Sequence, residues 1–160
     1  MFQQPLQLLD ITLAGSAIGA TVWFFFIQSP ALIKFMGRDK FVPVQMRLTK
    51  VLFATLSVVT LIVVGLSVLL VGFSYGSVLD GAVLAAVAAL ACHFYVVPRA
   101  LRAGGKGRME TSEAGGDNSV GKFAVEGSGP SAKFWHQTLV VFVVVLLVGL
   151  VVHLDGVLGV

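Results

Sequence analysis

Three histidines and a single cysteine are the side chains in this 160-residue sequence best suited to ligation or nucleophilic chemistry. His93 stands inside the apolar run "ACHFYVVPRA", His136 in "KFWHQ", and His153 close to the C-terminus. An imidazole at such a position can bind a metal, relay a proton or bond to a neighbouring helix. Two neutral imidazoles on facing helices can also hold a b-type haem, and His93 with His136 is the pair that would do so. In a helix Cys92 points about 100° away from His93, so it does not extend that ligand set. One cysteine also leaves no disulfide within the chain, no paired-thiol motif and no cysteine-based zinc site. A histidine between helices usually makes a structural hydrogen bond. The expectation is therefore that His93 makes a helix-packing hydrogen bond within reach of Gln45 and His136, with b-type haem on His93 and His136 as the alternative, no metal site and no catalytic residue.

The elements that must carry these residues are set by composition. Of the chain, 57% is hydrophobic and only 12% charged, with mean hydropathy +0.95. A soluble domain carries roughly 25% charged residues. Four apolar stretches, at about 8–28, 51–73, 79–97 and 134–154, each hold 19 to 23 residues. About 20 residues of helix cross a hydrocarbon core of about 30 Å. Lipid offers no partner for backbone polar groups, and these runs do not alternate as barrel strands do. The fold class expected is an all-α membrane protein with four transmembrane helices in a single domain, 1–160.

Charge orients the bundle. All eleven Lys and Arg residues fall in two connections, Pro30 to Lys50 and Pro98 to Lys133. The N-terminal segment, the turn around residues 74–78 and the C-terminal tail have none. By the positive-inside rule both connections face the cytoplasm, or the matrix in an organelle, and both termini face the opposite, outer side. Lys40, Arg47, Lys50, Arg99 and Arg102 then lie at headgroup level against anionic lipid. The pI near 9.3 thus serves the membrane and gives no reason to expect nucleic acid. The N-terminus lacks a basic n-region and a cleavage motif, so no removable signal is expected. Asp10 and Asp80 read as helix N-terminal acids and Asp155 as part of a "DG" turn, all on the outer side. A cation mouth built from the three is the weaker reading.

Within the first connection Phe41, Val44 and Leu48 recur at helical spacing, which predicts a helix from about Asp39 into the second span, with Pro43 near its first turn. The region 103–132 is a hydrophilic Gly/Ser-rich loop; its "GGKG" lacks the spacing and the preceding strand of a phosphate loop. Small residues let helices approach in lipid. Gly15 and Gly19 in the first span, and Ala82, Ala86 and Ala89 in the third, are the packing positions this predicts. Continuing the third-span stripe by four residues reaches His93, which places that ring between helices.

The stretch "VWFFFIQSPALIKFMGRDKFVPVQMRLTKVLF", with "VVPRALRA" and "KFWHQ", resembles the transmembrane protein 205-like family, four-helix membrane proteins without an established activity. The resemblance implies the same topology and a cluster of Gln45, Arg99 and His136; it implies no reaction. Gln137 and Thr138 depart from the family's small-residue pattern after the histidine. With no acid–base pair or activated nucleophile at membrane depth, the expectation is a non-catalytic accessory or scaffold subunit of a larger membrane complex. The expected setting is an energy-transducing membrane such as the mitochondrial inner membrane. A small transporter or haem-handling protein is the alternative. The orientation has a direct test: a cysteine at Ser112 in a Cys92→Ala background should react with an impermeant maleimide only from the cytoplasmic or matrix side.

Overall fold

A computed structural model of the chain describes residues 3–72, 76–103 and 132–159. All the regular structure in these residues is helical, and four of the helices are long and apolar enough to cross a membrane. α1 (Gln3–Val22) runs through a π-helical segment (Trp23–Gln28) into α2 (Ser29–Met36). α3 (Arg38–Val71) follows, then α4 (Ser77–Ala91), a second π-helical segment (Cys92–Val96), a short continuation at 97–103 that we call α5, and α6 (Ala132–Leu158). The hydrophilic stretch 104–131, including its lysines and "GGKG", and Tyr75 lie outside the described residues.

The first membrane-crossing helix is longer than the sequence suggests at both ends, extending from Gln3 to Met36. Pro30 does not open a loop. Proline removes one N–H and its ring presses on the carbonyl four residues earlier. Here the ladder is already widened: the Ser29 N–H reaches back five residues to Phe24 O, and the Ser29 hydroxyl donates to the same carbonyl at 2.7 Å. The same device recurs before Pro98, where the Val97 N–H bonds Cys92 O. Each π segment lets the helix continue past a proline that would otherwise stop or kink it. The first connection therefore shrinks to Gly37, whose φ of 73° suits a residue without a Cβ. Gly72 ends α3 in the same way, with φ 69°.

The long helices form a closed ring in which α1 packs on α3 and α6, and α4 on α3 and α6. α4 is the most enclosed, with 50% of its most apolar window buried against a third or less in the other three. Each helix offers a stripe of period 3.5. In α6 it is Leu139, Val143, Leu146, Leu150, His153 and Val157; in α3, Phe53, Leu56, Thr60, Val63 and Ser67. In α1 it is Asp10, Ala14, Ala17, Thr21 and then Phe24, all buried. Alternating spacings of three and four place each stripe along one seam, as in coiled-coil packing.

Gly15 and Gly19 are not on that seam. Both are exposed, and a Cβ built on either meets nothing within 4 Å. The inward face of α1 lies one residue away in phase, a rotation of about 100°. Close helix approach occurs instead between α4 and α6. A Cβ on Gly81 would collide with the backbone N of His153 and come within 2.6 Å of Gly149 O. One on Gly149 would lie 2.8 Å from Ala85 N, and one on Gly156 2.8 Å from Val78 N. Ala82, Ala86 and Ala89 are buried as well, because α4 is covered on two sides. Gly81→Ala should therefore destabilise the bundle by about 1–3 kcal/mol, the usual cost of overpacking. Gly15→Ala should be neutral or slightly stabilising. Thermal unfolding of the two variants in detergent compares them directly.

Candidate functional site: a buried aspartate–histidine pair

The glycine seam brings α6 so close to α4 that His153 Nδ1 donates to the carbonyl oxygen of Val78 at 2.8 Å. The other ring nitrogen, Nε2, lies 3.0 Å from Oδ2 of Asp10 on α1. Both side chains are fully buried. One imidazole thus joins three helices. Nε2 and Oδ2 stand at ion-pair distance but short of aligned hydrogen-bond geometry, and Asp10 Oδ1 has no hydrogen-bond partner among the described residues. Near this pair, Gln7 Nε2 donates to Val157 O at 2.9 Å, tying the first turns of α1 to the last of α6. This contact places both chain ends at one end of the bundle, here termed the terminal end, opposite the basic end that carries Lys40, Arg47 and Arg99.

Asp10 is therefore no helix cap: α1 begins at Gln3, so the carboxylate sits about 10 Å along the helix. Asp80 lies in the first turn of α4, as the sequence suggests, and is exposed. Asp155 is exposed inside α6, which runs through the "DG" dipeptide to Leu158. With Asp10 turned inward, the three carboxylates do not share a mouth. Among the described residues no three His, Cys, Asp or Glu side chains gather as a metal would require. The buried hydroxyls are satisfied within their own helices. Thr21 bonds Ala17 O, Ser57 Phe53 O, Thr60 Leu56 O and Ser67 Val63 O, each at 2.7 or 2.8 Å. Such back-bonding leaves a hydroxyl with no call for a cross-helix partner.

At the basic end the expected cluster does not assemble. Cys92, not His93, takes the fully buried position at the start of the second π segment. His93 is half-buried, stacks edge-on against Phe94 with centroids 4.6 Å apart, and its buried Nδ1 has no hydrogen-bond partner among the described residues. Neither Gln45 nor His136 reaches it. Gln45 Nε2 donates instead to Ser29 Oγ at 2.6 Å, pinning α2 to α3. His136 is exposed, because its neighbour Trp135 occupies the inward position on α6. Nothing in this geometry joins His93 and His136 into a haem ligand pair. The Arg99 guanidinium lies 3.4 Å from the centroid of Tyr95 and 5.9 Å from that of Trp135, a cation–π stack at the lipid boundary.

A sequence signal for Asp10 and His153 does exist. Each falls on its helix's period of alternating three and four, in a stripe that otherwise holds only Ala, Thr and Phe in α1 and only Leu and Val in α6. Ionisable residues on an inward stripe within a membrane bundle mark functional positions and pair with one another.

The family model for a domain of unknown function, DUF4149, matches residues 12–108. The chain belongs to this family. The match is to the uncharacterised domain family and not specifically to the transmembrane protein 205-like proteins. No curated protein and no solved structure matches the chain. Within this DUF4149 chain the matched span includes Gln45, His93 and Arg99, whereas Asp10, His136 and His153 lie outside it. The protein is an integral membrane protein by its four apolar helices. Removing one member of a buried pair strands the other in an apolar interior. Asp10→Ala and His153→Ala should each cost about 3–5 kcal/mol, read as a lowered midpoint of thermal unfolding in detergent. His136→Ala, at an exposed position, should change it little.

Proposed function

We propose that the protein is a non-catalytic subunit that assembles with another membrane protein through the outward face of α1. The observation that carries this reading is the open space over Gly15 and Gly19, flanked by exposed Thr12, Ser16 and Ala20. A glycine inside a helix costs about 1 kcal/mol relative to alanine, and acyl chains return none of it. A facing helix does, by backbone-to-backbone contact. The occupant assigned to this face is a transmembrane helix of a different subunit. The Asp10–His153 pair supports the assignment by fixing the rotation of α1, which turns Asp10, Ala14 and Ala17 inward and the glycine face outward.

Around the opposite end, Lys40, Arg47, Lys50, Arg99 and Arg102 are all exposed. Their proposed partners are anionic headgroups on the cytoplasmic or matrix side, with the termini outside. An energy-transducing membrane, the mitochondrial inner membrane above all, is the setting we favour for such a subunit.

A photo-crosslinking residue at Ser16, with Val58 on the exposed side of α3 as control, tests the assembly in native membranes. A single defined adduct with one other membrane polypeptide, absent at position 58 and lost with Gly15→Leu and Gly19→Leu, is the expected result. A product at twice the 16.9 kDa chain mass would identify a second copy and overturn the accessory reading. Products at position 16 no different from those at 58 would also reject it.

A further inference from the structure

The protons of the buried pair can be counted from its geometry. The Val78 carbonyl can only accept, so the hydrogen on this contact belongs to His153 Nδ1. If the imidazole is neutral, Nε2 then carries only a lone pair. An ionised Asp10 would set a second lone pair against it at 3.0 Å, in a site with no exposure to solvent. One further proton between the two groups removes that conflict, whether it resides on Nε2, giving an imidazolium–carboxylate pair, or on Oδ2, giving two neutral groups. Either state has zero net charge. Loss of the proton leaves one uncompensated negative charge in an apolar interior, where it is costly.

A cavity opens at the terminal end, beside the Val78 that holds His153. It has a volume of about 130 Å³ and is lined by Gln3, Gln7, Leu70, Val71, Val78 and Val157. Gln3, Gln7 and Asp10 follow spacings of four and three along one face of α1, and Val78 both lines the cavity and holds His153. The two carboxamides thus lead from the opening towards the carboxylate, whose Oδ1 is buried and unpartnered among the described residues. We propose that Asp10 and His153 together form a binding site for a single proton, filled and emptied from the terminal end of the bundle through the Gln3–Gln7 cavity.

The surrounding charges are few. α4 contributes Asp80 and α6 contributes Asp155, both exposed. α3 offers no titratable side chain between Ser57 and Val71, only the hydroxyls of Thr60 and Ser67, each bonded within its own helix. The amino group of Met1 and the phenol of Tyr75 lie outside the described residues. Among the described residues no lysine or arginine lies at this end, and His153 is the counter-group that faces Asp10.

The site holds its proton in the folded protein and binds α1 to α4 and α6 only while it does. Stability is therefore present at lower pH and falls as rising pH empties the site. Asp10→Asn replaces the shared proton by a carboxamide N–H that donates to Nε2 and cannot ionise. In nanodiscs, the wild-type unfolding midpoint should fall by at least about 5 °C between about pH 6 and about pH 9, and that of Asp10→Asn should stay level. A level wild-type profile, or the same fall in Asp10→Asn, overturns the proposal. Should the variant not fold, ¹⁵N-histidine NMR of a His93→Gln/His136→Gln chain decides: a protonated Nδ1 is required, and a bare Nδ1 with Nε2–H rejects it. Gln3→Leu with Gln7→Leu should slow exchange of the His153 ring protons with water at least tenfold, and unchanged exchange refutes the route.

Discussion

A carboxylate and an imidazole enclosed by hydrocarbon have no water to turn to, and the bundle is arranged around their meeting. His153 reaches Val78 only because Gly81, Gly149 and Gly156 allow α4 and α6 to lie backbone against backbone. Asp10 reaches His153 only if α1 is rotated so that its alanines face the seam. Neither condition is met by hydrophobicity, because in lipid every apolar face is equally at home. Packing and polar pairing have to choose the phase of each helix, and here they choose it together.

That point explains what could be read from the sequence. The four apolar runs and the one-sided distribution of basic residues follow from length and composition, to which lipid is directly sensitive. The start of α3 near Asp39 was legible in the spacing of Phe41, Val44 and Leu48. Phase was not. Glycines are the expected contact residues, so α1 reads naturally with Gly15 and Gly19 inward, and α4 reads with His93 at the end of an alanine stripe. Both assignments are displaced by about one residue, or about 100°. Cys92 and Ala14 hold the buried places instead.

Two particulars account for the rest. Asp10 looks like a terminal acid when the helix is taken to begin with the apolar run at Leu8; with Gln3 as the first residue it becomes an interior group. The glutamines and the proline at positions 3–7 conceal this, since they lower the local hydropathy without ending the helix. His153 lies close to the C-terminus, at the opposite end of the bundle from His93. The stripe from Leu139 through Leu150 places it at the core, and its partner comes from the other end of the chain.

The two π segments carry a consequence of their own. A π turn accommodates one more residue than an α turn over the same axial rise, so it resets the angular register of everything beyond it. In both helices the reset falls just ahead of a proline, Pro30 in the first and Pro98 in the third. The turns beyond each reset therefore point their side chains at an angle of their own, and past the second one Val97 and Ala100 are buried again. One continuous helix can thus show two differently phased faces, one to the seam and one to the basic end, with a proline between them.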